Sequence, residues 1–271
     1  MTLLIDMFSY GFMQRAFICG VLISLCAALI GVPLVLRRFS MIGDGLSHVG
    51  FASLALSAVL NQAPMVVSLP IVMLSAFILL NLKTRYIPSD ASIALISTTA
   101  LAFGVMILSL SQGMNTDVNN FLFGSILGIS RQDKILTIVL CLLIIFLYML
   151  LYQKIFALTF DENFAKVAGV NVKRLNLILA LMMAVIIVLG MRMMGALLIS
   201  NLIVIPALTS MSIFKTFFKA ILYAAFVSVG CFVLGLITSY LLNTPTGASI
   251  VIFNVLILVA HLSLKTLLLK A

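Results

Sequence analysis

Charge is what this sequence has least of. Asp, Glu, Lys and Arg make up 8% of its 271 residues, while 64% are hydrophobic; a soluble domain is nearer about 25% charged. That scarcity excludes an ordinary soluble protein and leaves a polytopic membrane protein. Acids are scarcer than bases, 7 against 16, so the net charge is +9. No GxxxxGK[ST] string occurs, and with it goes any phosphate-cradling loop within the chain. If transport here consumes ATP, a separate subunit must hydrolyse it, and the chain itself is expected to be no enzyme. The four cysteines (Cys19, Cys26, Cys141 and Cys231) form no CxxC and fall inside apolar runs, which makes them small core residues. The start, Met1-Thr-Leu-Leu-Ile-Asp-Met7, lacks a basic stretch leading into an apolar run with a small-residue cleavage site. The first long apolar segment is therefore expected to stay as a helix.

What the chain does have is apolar length. Segments of membrane-crossing size run over 11–36, 40–60, 64–82, 91–112, 135–153, 175–190, 194–213, 221–242 and 247–264. They fill the chain and leave no room for a soluble domain, so 1–271 is expected to be a single transmembrane domain. The expected fold is an all-α polytopic membrane protein with eight or nine transmembrane helices. A further apolar piece, Asn120-Phe-Leu-Phe-Gly-Ser-Ile-Leu-Gly-Ile129, is too short for an ordinary span. It is expected to be re-entrant or a half-helix, which requires cover from protein or water.

The basic residues orient this layout. With the N-terminus outside and the short piece not crossing, twelve fall on the cytoplasmic side: Arg37, Arg38, Lys83, Arg85, Lys154, Lys166, Lys173, Arg174, Lys215, Lys219, Lys265 and Lys270. Four fall outside: Arg15, Arg131, Lys134 and Arg192. This bias obeys the positive-inside rule, and a crossing at 120–129 would largely erase it. The basic balance thus belongs to a membrane face beside anionic lipid and gives no reason to invoke nucleic acid.

Against this background, Asp44 and His48 stand out in Ser40-Met-Ile-Gly-Asp-Gly-Leu-Ser-His-Val-Gly50. Four residues apart, they share one face of a helix, one turn apart. An ionisable group within a bilayer costs about 2.5–3.5 kcal/mol on insertion scales, which marks it as a functional candidate. The pair offers one oxygen and one nitrogen, a donor set that suits Zn²⁺ or Mn²⁺ better than Ca²⁺ or K⁺. With Ser40 as the expected N-cap, His48 lies about 12 Å along the helix, towards the midplane. Gly43, Gly45 and Gly50 keep the surrounding surface small, for close packing or for a passing pathway. The plain alternative is a buried Asp–His hydrogen bond, or a helix-end acid facing water. His261, near the inner end of the last span, is expected to be structural.

Two more segments carry signals. In Phe160-Asp-Glu-Asn-Phe-Ala-Lys-Val-Ala-Gly169 the acids favour a helix start and Gly169 a helix end. Phe160, Phe164 and Val167 fall on one stripe, which fits either a groove on a partner protein or the membrane surface. In Met193-Met-Gly-Ala-Leu-Leu-Ile-Ser-Asn-Leu-Ile-Val-Ile-Pro-Ala207, Gly195 and Pro206 are expected to interrupt the helix. Ser200 and Asn201 there put polar groups at membrane depth. Discontinuous helices of this kind often line substrate paths; a Pro-kinked packing helix is the simpler alternative. The 15 methionines are scattered, as gap-filling residues are.

Taken in order, these pieces resemble the membrane permeases of bacterial ABC importers for zinc, manganese and iron. The matching segments are Leu36-Arg-Arg-Phe-Ser-Met-Ile-Gly-Asp-Gly-Leu-Ser-His48, Phe121-Leu-Phe-Gly-Ser-Ile-Leu127, Asp161 through Gly169, Gly195-Ala-Leu-Leu-Ile199 through Pro206-Ala207, and Thr244-Pro-Thr-Gly-Ala248. The string R-R-x-S-x-x-G-D-x-x-x-H is the specific one. The resemblance implies a homodimer in the bacterial inner (cytoplasmic) membrane. It also implies two copies of a cytoplasmic ATP-binding subunit and an extracytoplasmic metal-binding protein. It places Asp44 and His48 on the translocation pathway of a metal that is carried as substrate, with no permanently bound cofactor. It makes the 160–169 segment, with Phe160, Asp161, Glu162, Phe164, Ala165 and Gly169, the helix that couples to the ATPase. Some zinc members carry a further histidine in the helix corresponding to 91–112, and this chain has none there. Phe121 through Ser130 nevertheless looks nearer to zinc permeases of Gram-positive bacteria, so zinc is expected ahead of manganese or iron. An ion-coupled secondary metal transporter, with Asp44 and His48 relaying protons, is the rival.

Overall fold

The structure is a computed structural model that describes residues 7–81, 89–110, 124 and 129–268. Among these residues every element of secondary structure is a helix. The long helices are α1 (Gly11–Leu36), α2 (Met41–Val59), α3 (Pro64–Asn81), α4 (Ser89–Leu110) and α5 (Arg131–Phe160). A short α6 (Glu162–Val167) follows, then α7 (Val172–Met194), α8 (Ala196–Ile213), α9 (Phe217–Leu242) and α10 (Thr246–Leu268). Seven of them are long and apolar enough to cross a membrane, and two shorter apolar stretches, Pro64–Leu79 and Leu198–Ile213, lie in α3 and α8. Each expected span coincides with one of these helices. The all-α polytopic fold follows from the bilayer itself, which leaves no water to satisfy exposed backbone amides.

Helices α1 and α7 are mostly buried and form the centre of the bundle, while α4, α5 and α10 are mostly exposed. Helix α1 packs against α5, α7, α8 and α9; α2 packs against α3, α4, α7 and α8. The close contacts depend on missing side chains. A Cβ on Gly31 of α1 would lie 2.1 Å from the Ile203 carbonyl oxygen of α8, so the two backbones touch there.

Side-chain contacts sort the helix ends onto two sides. At one side Arg37, after α1, meets Glu162 of α6 and Asn176 of α7. Phe156 and Phe160 at the end of α5 meet Phe217 at the start of α9. At the other side Asp133, in the first turn of α5, pairs with Arg192 in the last turn of α7. Ser130 holds the same carboxylate in a capping box, its Oγ donating to Asp133 Oδ2 at 2.7 Å. This sorting is the one the basic residues require.

Two local expectations are corrected. Ser40 occupies the position before α2 but makes no capping hydrogen bond and has helical dihedrals. The chain enters α2 through a tight turn instead, in which Phe39 N–H donates to Leu34 O and Ile42 N–H to Phe39 O. Pro206 does not interrupt its helix: α8 runs through it from Ala196 to Ile213. The break comes at Gly195 alone, whose φ of 90° and ψ of 158° end α7 and start α8 within one residue. Only glycine takes that conformation without strain.

Candidate functional site

Asp44 lies in the first turn of α2 and His48 one turn later. The His48 Nε2 and Asp44 Oδ2 atoms are 3.7 Å apart. That separation is too long for a hydrogen bond, since a side-chain hydrogen bond is lost beyond about 3.5 Å. The buried Asp–His hydrogen bond that would have made the pair structural is therefore absent. The His48 Nδ1 atom is buried and has no hydrogen-bond partner among the described residues. The His48 side chain is 16% exposed and that of Asp44 46%, so the pair opens outward from the bundle. Among the described residues no group of three or more His, Cys, Asp or Glu side chains gathers to hold a metal. One copy of the chain thus presents two donors here, one oxygen and one nitrogen.

The glycines around the pair serve packing. A Cβ on Gly45 would meet Ile93 Cγ2 of α4 at 2.8 Å, and one on Gly50 would meet Met191 Cε of α7 at 2.4 Å. Met191 fills the notch that Gly50 leaves, a use suited to its flexible thioether. Gly43 faces α8, with Ile203 Cδ1 at 3.8 Å and Ser200 Cα at 4.0 Å from its missing Cβ. The polar start of α8, with buried Ser200 and half-buried Asn201, is thereby set against the turn that carries Asp44. Helix α8 owes this position to the break at Gly195. Behind that break, Gly124 (φ 78°) comes so close that a Cβ would lie 2.5 Å from the Gly195 nitrogen. Apart from Gly124 and Ile129, the piece expected to be re-entrant, Asn120 to Ile129, lies outside the described residues.

The 160–169 segment forms the helix its sequence foretells. Asp161 caps α6 by accepting from Asn163 N at 2.8 Å and Phe164 N at 3.0 Å. Gly169 closes it with φ at 80°, while Val170 N–H donates to Ala165 O at 2.9 Å. Ala165 is buried against the bundle, whereas Phe164 is 63% and Val167 89% exposed. Phe160 departs from the expected stripe. It is the last residue of α5, and the extended Asp161 (φ −149°, ψ 109°) breaks the helical phase before α6 begins. Its ring packs 5.0 Å from Phe156 and 5.8 Å from Phe217.

Arg37 is the residue that sequence reasoning undervalued. Its side chain is 10% exposed, donates to Asn176 Oδ1 at 2.7 Å, and comes within 4.0 Å of Glu162. The guanidinium also sits 5.1 Å above the Phe39 ring. Burial pushes its pKa down and the Glu162 carboxylate pushes it up. A single cation so ties α6 to the turn that leads into α2. The Arg37-Arg38 pair in the specific motif was the available signal. His261 is structural as expected: Nε2 shares a 2.6 Å hydrogen bond with Tyr223 OH, and Nδ1 lies 2.7 Å from Ile257 O.

Known proteins resemble this arrangement along nearly its whole length. The sequence profile of the ABC 3 transport family matches residues 9–265. The high-affinity zinc uptake system membrane protein ZnuB of Haemophilus influenzae is 30% identical over 249 residues, covering 91% of this chain and 95% of that protein. The manganese transport system membrane protein MntC of Listeria innocua is 27% identical over 259 residues, covering 95% and 92%. Among solved structures, PsaBC from Streptococcus pneumoniae in complex with Fab aligns with a TM-score of 0.86 at 26% identity, covering 96% of this chain and 94% of that one. The chain accordingly belongs to the ABC 3 transport family, the ABC importer permeases that its motifs resemble.

Proposed function

We propose that this chain is the membrane permease subunit of an ATP-driven importer in a bacterial cytoplasmic membrane, moving zinc, ahead of manganese or iron, into the cytoplasm. The whole chain acts as one permease domain. The observation that carries this reading is the Asp44–His48 pair: ionisable, one turn apart, without the hydrogen bond that would make it structural, and open to the outside of the protomer. A neutral imidazole and a carboxylate bind a borderline divalent ion, and neither holds an alkali ion well. The names of its relatives support a transition metal: one carries zinc in its name, another manganese.

In this reading two copies of the chain face each other across the pathway. A separate extracytoplasmic protein delivers the ion, which meets Asp44 and His48 of each copy in passing. Two donors per copy keep the stop brief, since a full tetrahedral shell within one copy would trap the ion. Two cytoplasmic ATP-binding subunits receive α6, with Phe164 and Val167 as its anchors. Ala165 and Gly169 seat and end that helix, and Phe160 braces its base. Arg37 passes the movement of α6 to the turn before α2. The break at Gly195 and the polar residue Asn201 set α8 beside the path, and Pro206 lies deeper in the same helix.

Uptake of radiolabelled zinc and manganese tests the assignment, in cells stripped of their own importers and supplied with this chain, its ATPase and its binding protein. The reading predicts zinc accumulation that stops when ATP is depleted and that excess manganese blocks only weakly. Uptake that survives ATP depletion and follows the proton gradient would establish the ion-coupled rival instead.

A further inference from the structure

Helix α9 carries a second feature, unrelated to Asp44 and His48. A groove of about 640 Å³ runs along it, bounded by Leu25 of α1 and by Leu222, Phe226 and Val229 of α9. Its walls are carbon almost throughout. At one end Gly230 leaves a notch, with nothing within 4 Å of where its side chain would start. At the other end stands Lys219, which has no carboxylate partner among the described residues. Tyr223 also lines the groove, but its hydroxyl is already engaged by His261.

The dimensions and the charge point to one kind of occupant. From Lys219 to Gly230 the helix rises about 16 Å at 1.5 Å per residue. Half of a hydrocarbon core of about 30 Å is about 15 Å, so the groove is one leaflet deep. Its cation sits at the inner end by the charge distribution of the whole chain, in the first turn of α9. Lys215 stands four residues earlier, and the positive end of the helix dipole adds to both. Inner-leaflet anionic lipids are drawn to such a cluster. A second copy of the chain is a poor occupant: a twofold axis along the membrane normal would set Lys219 opposite another Lys219 at the same depth.

We propose that this groove is a binding site for an anionic phospholipid of the inner leaflet, with one acyl chain between α1 and α9 and the headgroup phosphate on Lys219. The proposal rests on the inward orientation of α9's start and is independent of which metal is carried. Native mass spectrometry of the intact permease–ATPase complex, taken from nanodiscs of equal phosphatidylglycerol and phosphatidylcholine, tests it. The wild type retains phosphatidylglycerol preferentially, and Lys219→Gln lowers that preference about fivefold, the effect of one basic residue at an anionic surface. Lys219→Arg keeps the preference, which separates lost charge from lost fold. Gly230→Phe, which fills the notch, lowers retention of both lipids. Equal retention of the two lipids by the wild type would overturn the proposal. So would a disulfide between copies through Val229→Cys, which would show the groove covered by a second copy.

Discussion

His48 holds its imidazole in a largely buried slot, while Asp44, one turn earlier, keeps a half-exposed carboxylate. No hydrogen bond to either side chain ties it into the fold among the described residues. Asp44→Ala and His48→Ala should each lower metal uptake by at least about tenfold, as the loss of a group supporting a metal does, with unchanged amounts of protein in the membrane. A fall in membrane abundance in parallel with uptake would assign the pair to folding. Gly195 makes the opposite prediction. Placing a side chain at its φ of 90° is expected to cost about 1–3 kcal/mol. Gly195→Ala should therefore lower the midpoint of thermal unfolding in detergent, and an unchanged midpoint would mean that the break is not fixed by that residue. The placement of Asp44 and His48 one turn apart on α2 was legible in the sequence, because a four-residue spacing puts both on one face of a helix. The role of Arg37 was not, because Glu162 and Asn176 lie more than a hundred residues away and no local pattern pairs them.

Helix α6 is held from below by Ala165 and Arg37 and presents Phe164 and Val167 outward. If these two are the anchors for an ATP-binding subunit, Phe164→Ala should weaken co-purification of that subunit about tenfold or more, the usual effect of truncating a buried aromatic anchor. Arg37→Gln should act differently, leaving the subunit bound while ATP hydrolysis no longer drives uptake. Loss of binding in Arg37→Gln would reduce the residue to a support for α6. At the other face, Asp133 joins the cap of α5 to Arg192 of α7. Asp133→Ala leaves a largely buried guanidinium without its partner and should destabilise the bundle by about 1–3 kcal/mol. A double-mutant cycle with Arg192→Ala reads the coupling, and full additivity would deny it. The existence and limits of α6 were legible from its cap, its acids and Gly169. The stripe through Phe160 was not, because the periodicity of side chains does not register the one extended residue, Asp161, that resets the helical phase. Pro206 misled as well: the break falls at Gly195, and α8 begins at Ala196, well before Pro206, so the proline lies inside the helix.

At the scale of the whole molecule, the bilayer decides most of the architecture. Every apolar stretch of sufficient length became a helix, which is why the span pattern was legible residue by residue. The packing between those helices was hidden, because helices that are apolar all round give no sign of which face turns inward. Contacts such as Gly31 on Ile203 and Gly50 on Met191 come from matched shapes, not from a pattern along the chain. The orientation of the molecule rests on charge and on the ion pairs at its two faces. The central claim is narrower: that a divalent metal crosses by way of Asp44 and His48. Its most direct test is ATP-driven zinc flux into proteoliposomes holding the reconstituted permease with its ATPase and binding protein. Wild type, Asp44→Asn and His48→Gln should be compared with ATP hydrolysis followed in the same vesicles. The account predicts that flux collapses in both variants while the complex stays assembled and continues to hydrolyse ATP. Zinc flux at the wild-type level in both would contradict it.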